Sequence, residues 1–129
     1  MNPSPDDRLY LPSHQWLRRE DDGIYTLGIT DHAQRELGDI VYVQLPEPGQ
    51  HLEAGDVLAV VESVKVASEI LCPFPATVVA VNEEPRERPE RLNEAPYEVW
   101  LLQLMPDEDA PLPELLTARA YDALLSGRR

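Results

Sequence analysis

Apolar residues in this chain fall in short runs separated by turn-forming clusters, a spacing that predicts strands rather than long helices. From Leu9 to Ile29 the pattern reads as two short strands around the acidic turn Glu20-Asp21-Asp22-Gly23. The stretch TDHAQRELG predicts a short helix, with Asp31 as N-cap, Gln34 in the capping-box position and Gly38 as the stop. Two β-branched runs follow, at 39–45 before the turn PEPG and at 56–63 after EAG. They echo one another: Gly38-Asp39-Ile40-Val41 and Gly55-Asp56-Val57-Leu58 lie seventeen residues apart, which suits a quasi-symmetric β-sandwich.

Beyond Lys65, VASEILC and ATVVAVN predict two more strands on either side of the turn PFP. Residues 83–96, charged and broken by Pro85, Pro89 and Pro96, read as a surface loop, and YEVWLLQLM (97–105) as a returning strand. The segment LPELLTARAYDALLSG predicts a terminal helix, with Pro113 in its first turn, Leu116, Ala120 and Leu124 on one face, and Gly127 at its end. The sum is a mainly β single domain over 8–129 with a short internal helix and a C-terminal helix, preceded by a flexible tail at 1–7.

With 129 residues the chain can bury one real core but not two. Its 24 acidic against 11 basic residues give a net charge of -13, which argues against a nucleic-acid surface and fits solubility or basic partners. Cys72 is single, so it has no internal disulfide partner and the composition suits a reducing compartment. The longest unbroken apolar run, Val57 to Val61, is far too short to span a bilayer, and MNPSPDD lacks the layout of a signal peptide. A soluble cytoplasmic protein with no membrane partner is expected. His14, His32, His51 and Cys72 are not spaced as metal ligands.

Lys65, in VESVKVASEI, is the only lysine; the other ten permanent cations are arginines. A guanidinium is always charged and a poor acyl acceptor, whereas a lysine amine can be acylated. Strand-like runs on both sides place Lys65 at or near a hairpin tip, facing solvent, with Val64 and Val66 pointing the other way and bracing it. Glu62 and Glu69 flank it, and neighbouring carboxylates favour an ammonium, which argues against a Schiff-base nucleophile. A lysine held out this way suits acylation by a modifying enzyme; the alternative is an ordinary surface lysine in a turn. The sequence offers no nucleophile–base pair or phosphate loop, so a carrier rather than an enzyme is expected.

The stretches PSHQW (12–16), GITDHAQRELGDIVYVQLPEPG (28–49), VESVK (61–65), VN (81–82), P-x-x-L-N (89–93) and PY (96–97) resemble the glycine cleavage system H protein family. Within them, ESVKVAS at 62–68 is similar to that family's lipoyl-attachment signature. The resemblance implies a barrel-sandwich hybrid fold like that of lipoyl and biotinyl domains, with lipoate joined by an amide to Lys65 as a swinging arm. It implies Glu62, Val64, Val66 and Glu69 as the attachment hairpin, and Gln15 and His32 as candidate contacts for the arm when it folds back. Biotin carriers typically have Met on both sides of their lysine, so Val64 and Val66 disfavour that relative.

Three features depart from the family pattern. Gln15 stands where the family has a glutamate near the amine of an aminomethyl cargo, and a neutral amide there roughly halves the strength of the contact. Pro75-Ala76 replaces the usual Ser-Gly, which the family associates with recognition by the lipoylating enzyme, and PYEVW lacks the usual Gly-Trp. Together these point toward a subtype, the H-like lipoate-binding proteins of sulfur-oxidising bacteria, which carry a sulfur intermediate for a heterodisulfide-reductase-like complex. The alternative is an authentic glycine cleavage carrier working with glycine decarboxylase, aminomethyltransferase and dihydrolipoyl dehydrogenase. An unlipoylated scaffold is a third reading. Either carrier requires a lipoate-protein ligase or lipoyl transferase acting on Lys65, and the acidic surface suits docking against basic rims of partner tunnels. Cys72, seven residues past Lys65 and next to a proline, is expected in the core rather than as a redox partner.

Overall fold

The computed structural model describes residues 3–127. Among these, the strands and helices run β1 (Leu9–Tyr10), β2 (Gln15–Arg19), β3 (Tyr25–Ile29), α1 (Asp31–Leu37), β4 (Ile40–Gln44), β5 (His51–Leu52), β6 (Val57–Ser63), β7 (Ala67–Leu71), β8 (Ala76–Val81), α2 (Glu84–Glu87), α3 (Arg91–Glu94), β9 (Leu102–Pro106) and α4 (Ala118–Leu125). The strands pair antiparallel in two sheets, β1-β2-β3-β9-β8-β5 and β4-β6-β7. Leu27, Leu58, Val61, Ile70, Phe74, Leu102 and Leu104 fill one shared core between them. The echoed glycines have a structural counterpart: Gly38 (φ 81°) and Gly55 (φ 91°) each sit two residues ahead of neighbouring strands of the smaller sheet, in a backbone region that favours glycine.

Period-two alternation sets the two faces of the larger sheet. Leu17 pairs with Leu27 on the core side, while Trp16 pairs with Tyr10 and Gly28 on the outer side. Gly28 is required there, because a Cβ would lie 2.4 Å from the Trp16 indole. Helix α4 covers this outer face. Tyr121 stacks on Tyr10 with ring centroids 4.8 Å apart and planes 9° from parallel, and Ala118 packs beside them. Arg8 closes the cluster with its guanidinium carbon 4.5 Å from the indole centroid.

Several element boundaries differ from the sequence reading, each for an identifiable reason. The N-cap of α1 is Thr30, whose hydroxyl accepts from the Ala33 amide; Asp31 is already inside the helix, where its carboxylate accepts from the Gln34 side chain. The 83–96 loop contains two helical turns, α2 and α3. The 97–105 strand begins only at Leu102, because Glu98 and Val99 amides turn back onto the Ala95 carbonyl. The terminal helix begins at Ala118 rather than near Pro113. Leu116 is held extended by a two-way backbone pair with Tyr10, and Thr117 then caps the helix by accepting from the Ala120 amide. Its buried face is Ala118 and Tyr121; Ala120 and Leu124 are exposed. Within the 1–7 segment, the Ser4 amide and hydroxyl donate to the Asp122 carboxylate at 3.1 and 2.6 Å. Met1, Asn2, Arg128 and Arg129 lie outside the described residues. Among the described residues, no helix is long and apolar enough to cross a membrane.

A candidate carrier site on the β6–β7 hairpin

Strands β6 and β7 meet in a tight turn, with Glu62 opposite Ala67 and Val64-Lys65-Val66 at the tip. Ser63 organises that turn. Its hydroxyl oxygen accepts from the Lys65 and Val66 amides at 3.1 and 3.2 Å, and its amide donates to the Val66 carbonyl at 2.8 Å. The Val64 amide donates to Asp39, which ties the tip to the start of β4. The bracing expected of Val64 and Val66 is therefore supplied by Ser63: both valines are exposed, at 69% and 51%. The tip overhangs the sheet, so the two valines have little to pack against, Val66 reaching only the lining of the adjoining cleft.

Lys65 is exposed, and its ammonium donates to the Glu36 carbonyl at 3.1 Å. That carbonyl belongs to the last turn of α1, where helix C=O groups lack intrahelical donors and the helix dipole favours a cation. Gly38 leaves room for the approach, since a Cβ there would crowd Lys65 Cε at 3.3 Å. By sequence Gly38 reads as a helix stop and as one half of the Gly-Asp echo, and neither Ser63 nor Glu36 stands out as a site residue. The Ser two residues before the lysine was the legible signal; the Glu36 carbonyl left none, because backbone acceptors have no residue signature.

Next to the lysine lies a cleft of about 360 Å³, between α1, the hairpin and the 13–15 turn. Its apolar walls come from Ile29, Ala33, Leu37, Val61 and Ile70, and its polar end from Ser13, His14 and Gln15. Gln15 is 7% exposed and pinned, its Oε1 accepting from the Ser13 hydroxyl at 2.6 Å and its Nε2 donating to the Ser13 carbonyl at 2.9 Å. Burial holds the His14 imidazole below its usual range, and the adjacent His32 adds to this.

The other expected site residues are placed as follows. His32 does not line this cleft; its ring lies 4.4 Å from that of His14 and faces a second cavity of about 330 Å³ beside Arg35 and Tyr97. Glu62 and Glu69 sit on the hairpin face opposite Val61, Ser68 and Ile70, and neither pairs with Lys65 among the described ion pairs. Cys72 is 2% exposed, donates to the Phe74 carbonyl and packs in the core, where burial pushes its thiol up. Ala76 opens β8 with its methyl fully buried and is not among the residues with positive φ. Among the described residues, no group of three or more His, Cys, Asp or Glu could hold a metal ion.

A two-sheet β domain that raises one amine on a hairpin, beside an apolar cleft and against a helix end, is a swinging-arm carrier of the lipoyl-domain type rather than an enzyme. Residues 8–128 match the family described as "Glycine cleavage H-protein", and the chain belongs to that family. It is 49% identical over 125 residues to "Glycine cleavage system H protein 2" of Pseudomonas putida, covering 97% of this chain and 98% of the relative. It is 48% identical over 126 residues to the "Glycine cleavage system H protein" of a Psychrobacter species, covering 97% and 100%. The crystal structure of a glycine cleavage system H protein from Mycobacterium marinum superimposes with a TM-score of 0.85 at 36% identity, covering 95% of this chain and 98% of that one, which fixes the barrel-sandwich fold. Family members are non-catalytic carriers that hold lipoate covalently on a lysine.

Proposed function

We propose that Lys65 is the lipoyl-lysine of this carrier and that the cargo is the aminomethyl group of glycine cleavage. In this reading glycine decarboxylase loads the arm, an aminomethyltransferase unloads it and dihydrolipoyl dehydrogenase reoxidises it. The observation that carries the proposal is the sole lysine, exposed at a hairpin tip, with its ammonium 3.1 Å from the Glu36 carbonyl at the rim of the cleft. The residues suit such an arm: Ile29, Ala33, Leu37, Val61 and Ile70 offer an apolar path for an alkyl chain, and Ser13 and Gln15 a polar end for its cargo. When bound, lipoate supplies a disulfide that opens to two thiols, one of which holds the cargo.

The chain's own residues do the presenting. Ser63 fixes the turn so that the Lys65 amine leaves the hairpin toward α1. Acylation removes the ammonium charge, so the contact to Glu36 falls from a charge-assisted bond to an ordinary one of about half the strength, which frees the arm to swing. Gln15 offers a fixed, neutral acceptor oxygen to an amine. The net charge of -13 favours basic partner surfaces, with encounter slowing as salt rises. A reducing cytoplasm is the compartment that keeps the working thiols available.

Gln15, Pro75-Ala76 and the missing Gly-Trp together are the features that point toward a sulfur cargo and a heterodisulfide-reductase-like partner. Relatives nearly half identical along the whole chain are glycine cleavage H proteins, and they support the aminomethyl cargo instead. The test adds the lipoylated protein to glycine decarboxylase with glycine and labelled bicarbonate; rapid exchange of label into glycine is expected, and no exchange would overturn the assignment. Lys65→Arg should fold normally yet gain no lipoyl mass increment, because a guanidinium does not take the acyl chain. An unmodified wild-type chain after treatment with a competent ligase would favour the scaffold reading.

A further inference from the structure

Tyr121, on the terminal helix, is remote in sequence from the carrier hairpin, yet its hydroxyl touches His14, at the polar end of the cleft, and Thr30, the cap of the helix that forms one side of it. It lies 2.8 Å from His14 Nδ1 and 2.8 Å from Thr30 Oγ1. His14 belongs to the turn that delivers Gln15, and Thr30 caps the helix that supplies Ala33, Leu37 and the Glu36 carbonyl. The Thr30 amide also donates to the His14 carbonyl at 3.2 Å, so the 13–15 turn and the start of α1 are joined twice. His14 holds a left-handed φ of 75°, a conformation that non-glycine residues keep only where surrounding contacts impose it.

Counting protons gives this network a direction. Thr30 is fully buried, and its Oγ1 already accepts from the Ala33 amide at 3.2 Å. Among the described residues, the one acceptor in reach of the Thr30 hydroxyl proton is the Tyr121 oxygen. A buried hydroxyl without an acceptor is costly, so Thr30 donates to Tyr121. The Tyr121 proton then has to go to His14 Nδ1, which makes that nitrogen an acceptor and leaves the imidazole neutral with its proton on Nε2.

We propose that Tyr121 is a positioning residue for the carrier cleft: a directed hydrogen-bond relay from Thr30 through Tyr121 to His14 holds His14 as the neutral Nε2–H tautomer. The terminal helix thereby sets both the shape and the charge of the cleft's polar end. A proton arriving at Nδ1 would turn that nitrogen into a donor and leave either the Tyr121 or the Thr30 hydroxyl proton without an acceptor. Other charged groups act in the same sense or weakly against it. The adjacent His32 and burial oppose a charge on His14, and Glu36 alone favours one. Around Tyr121 itself, burial first and then Tyr97, Asp122 and Asp31 keep the phenol protonated, pushing it up to about 12 against the Thr30 contact. The benefit rests on the aminomethyl reading, because an uncharged His14 does not repel a protonated amine cargo.

The test is ¹⁵N NMR of ring nitrogens in the lipoylated full-length chain without cargo, titrated from pH 5 to 8. The wild type should show His14 with its proton on Nε2. In Tyr121→Phe, which keeps the stack on Tyr10, the His14 titration should move up by roughly half a pH unit or more, its tautomers should mix, and the Ala33 amide should exchange faster. Tyr10→Phe is the control, since it removes the neighbouring hydroxyl, which bonds Pro5, and leaves the relay intact. A wild-type His14 protonated on Nδ1, an unchanged titration in Tyr121→Phe, or an equal change in Tyr10→Phe would each overturn the proposal. Because no cargo is present, these outcomes are independent of the bicarbonate exchange: failure there removes the benefit but leaves the relay standing.

Discussion

Asn93 offers a sharp test of how distant residues support the hairpin. It lies on α3, inside the charged stretch that the sequence presents as a loop, and its side chain makes three hydrogen bonds. Its Oδ1 accepts from the Ile40 amide at 2.9 Å, and its Nδ2 donates to the Gly38 carbonyl at 2.8 Å and to Gln34 Oε1 at 3.0 Å. These bonds fix the α1–β4 connection on which Lys65 rests. Asn93→Ala leaves all three partners unsatisfied. At about 1 kcal/mol per bond the upper figure is roughly 3 kcal/mol, and water reaching this half-buried site brings it to roughly 2. For a domain of this size that is a fall in Tm of roughly 6–10 °C. Asn93→Asp keeps the acceptor for Ile40 but turns a carboxylate toward two carbonyl oxygens, so at neutral pH it should be at least as damaging. Thermal unfolding followed by circular dichroism measures both, and the rate of lipoyl loading, read by intact mass, should fall in parallel. A stability change below about 0.5 kcal/mol for Asn93→Ala would refute the reasoning.

Three further outcomes are expected. Gly28→Ala forces a methyl into the Trp16 indole and should cost roughly 1–3 kcal/mol with an altered tryptophan emission; an unchanged denaturation midpoint would contradict the close approach. His51, hydrogen-bonded to Asp107 at 2.8 Å, has its pKa raised above 6.5 by that bond first, so its stabilising contribution is complete below 6.5 and is lost as pH rises through the folded value. The stability gap between wild type and His51→Gln should therefore be wider at pH 6 than at pH 8.5, and an equal gap would count against the ion pair. Cys72 should react with an aromatic disulfide reagent only on unfolding, because its thiol is buried and pushed up; rapid reaction of the native chain would place it elsewhere.

Much of the site was legible because its chemistry is local. Lys65 is conspicuous as the one amine among arginines, and the runs on each side of it state a hairpin by composition alone. The strand runs and the two echoing glycines were readable for the same reason: β-branched periodicity and a Gly-Asp step act over a few residues. The boundaries that moved did so for two reasons, nonlocal pairing and short-range backbone turns that composition does not mark. Leu116 suits a helix by pattern, yet its backbone pair with Tyr10, more than a hundred residues away, keeps it extended. Residues 97–100 look like a strand but are wound by contacts to Ala95 and to Asn82, whose side chain bonds the Trp100 carbonyl.

The sequence by itself determined a small acidic β domain, its single lysine and the hairpin that displays it. Only the tertiary structure decided that the amine leans on a helix-end carbonyl, that Gln15 rather than His32 reaches the cleft, and that Tyr121 bridges His14 to the cap of α1. The division follows from range. Turn and strand preferences are properties of neighbouring residues, whereas a cleft and a hydrogen-bond relay exist only when segments far apart in the chain are brought within about 3 Å of one another.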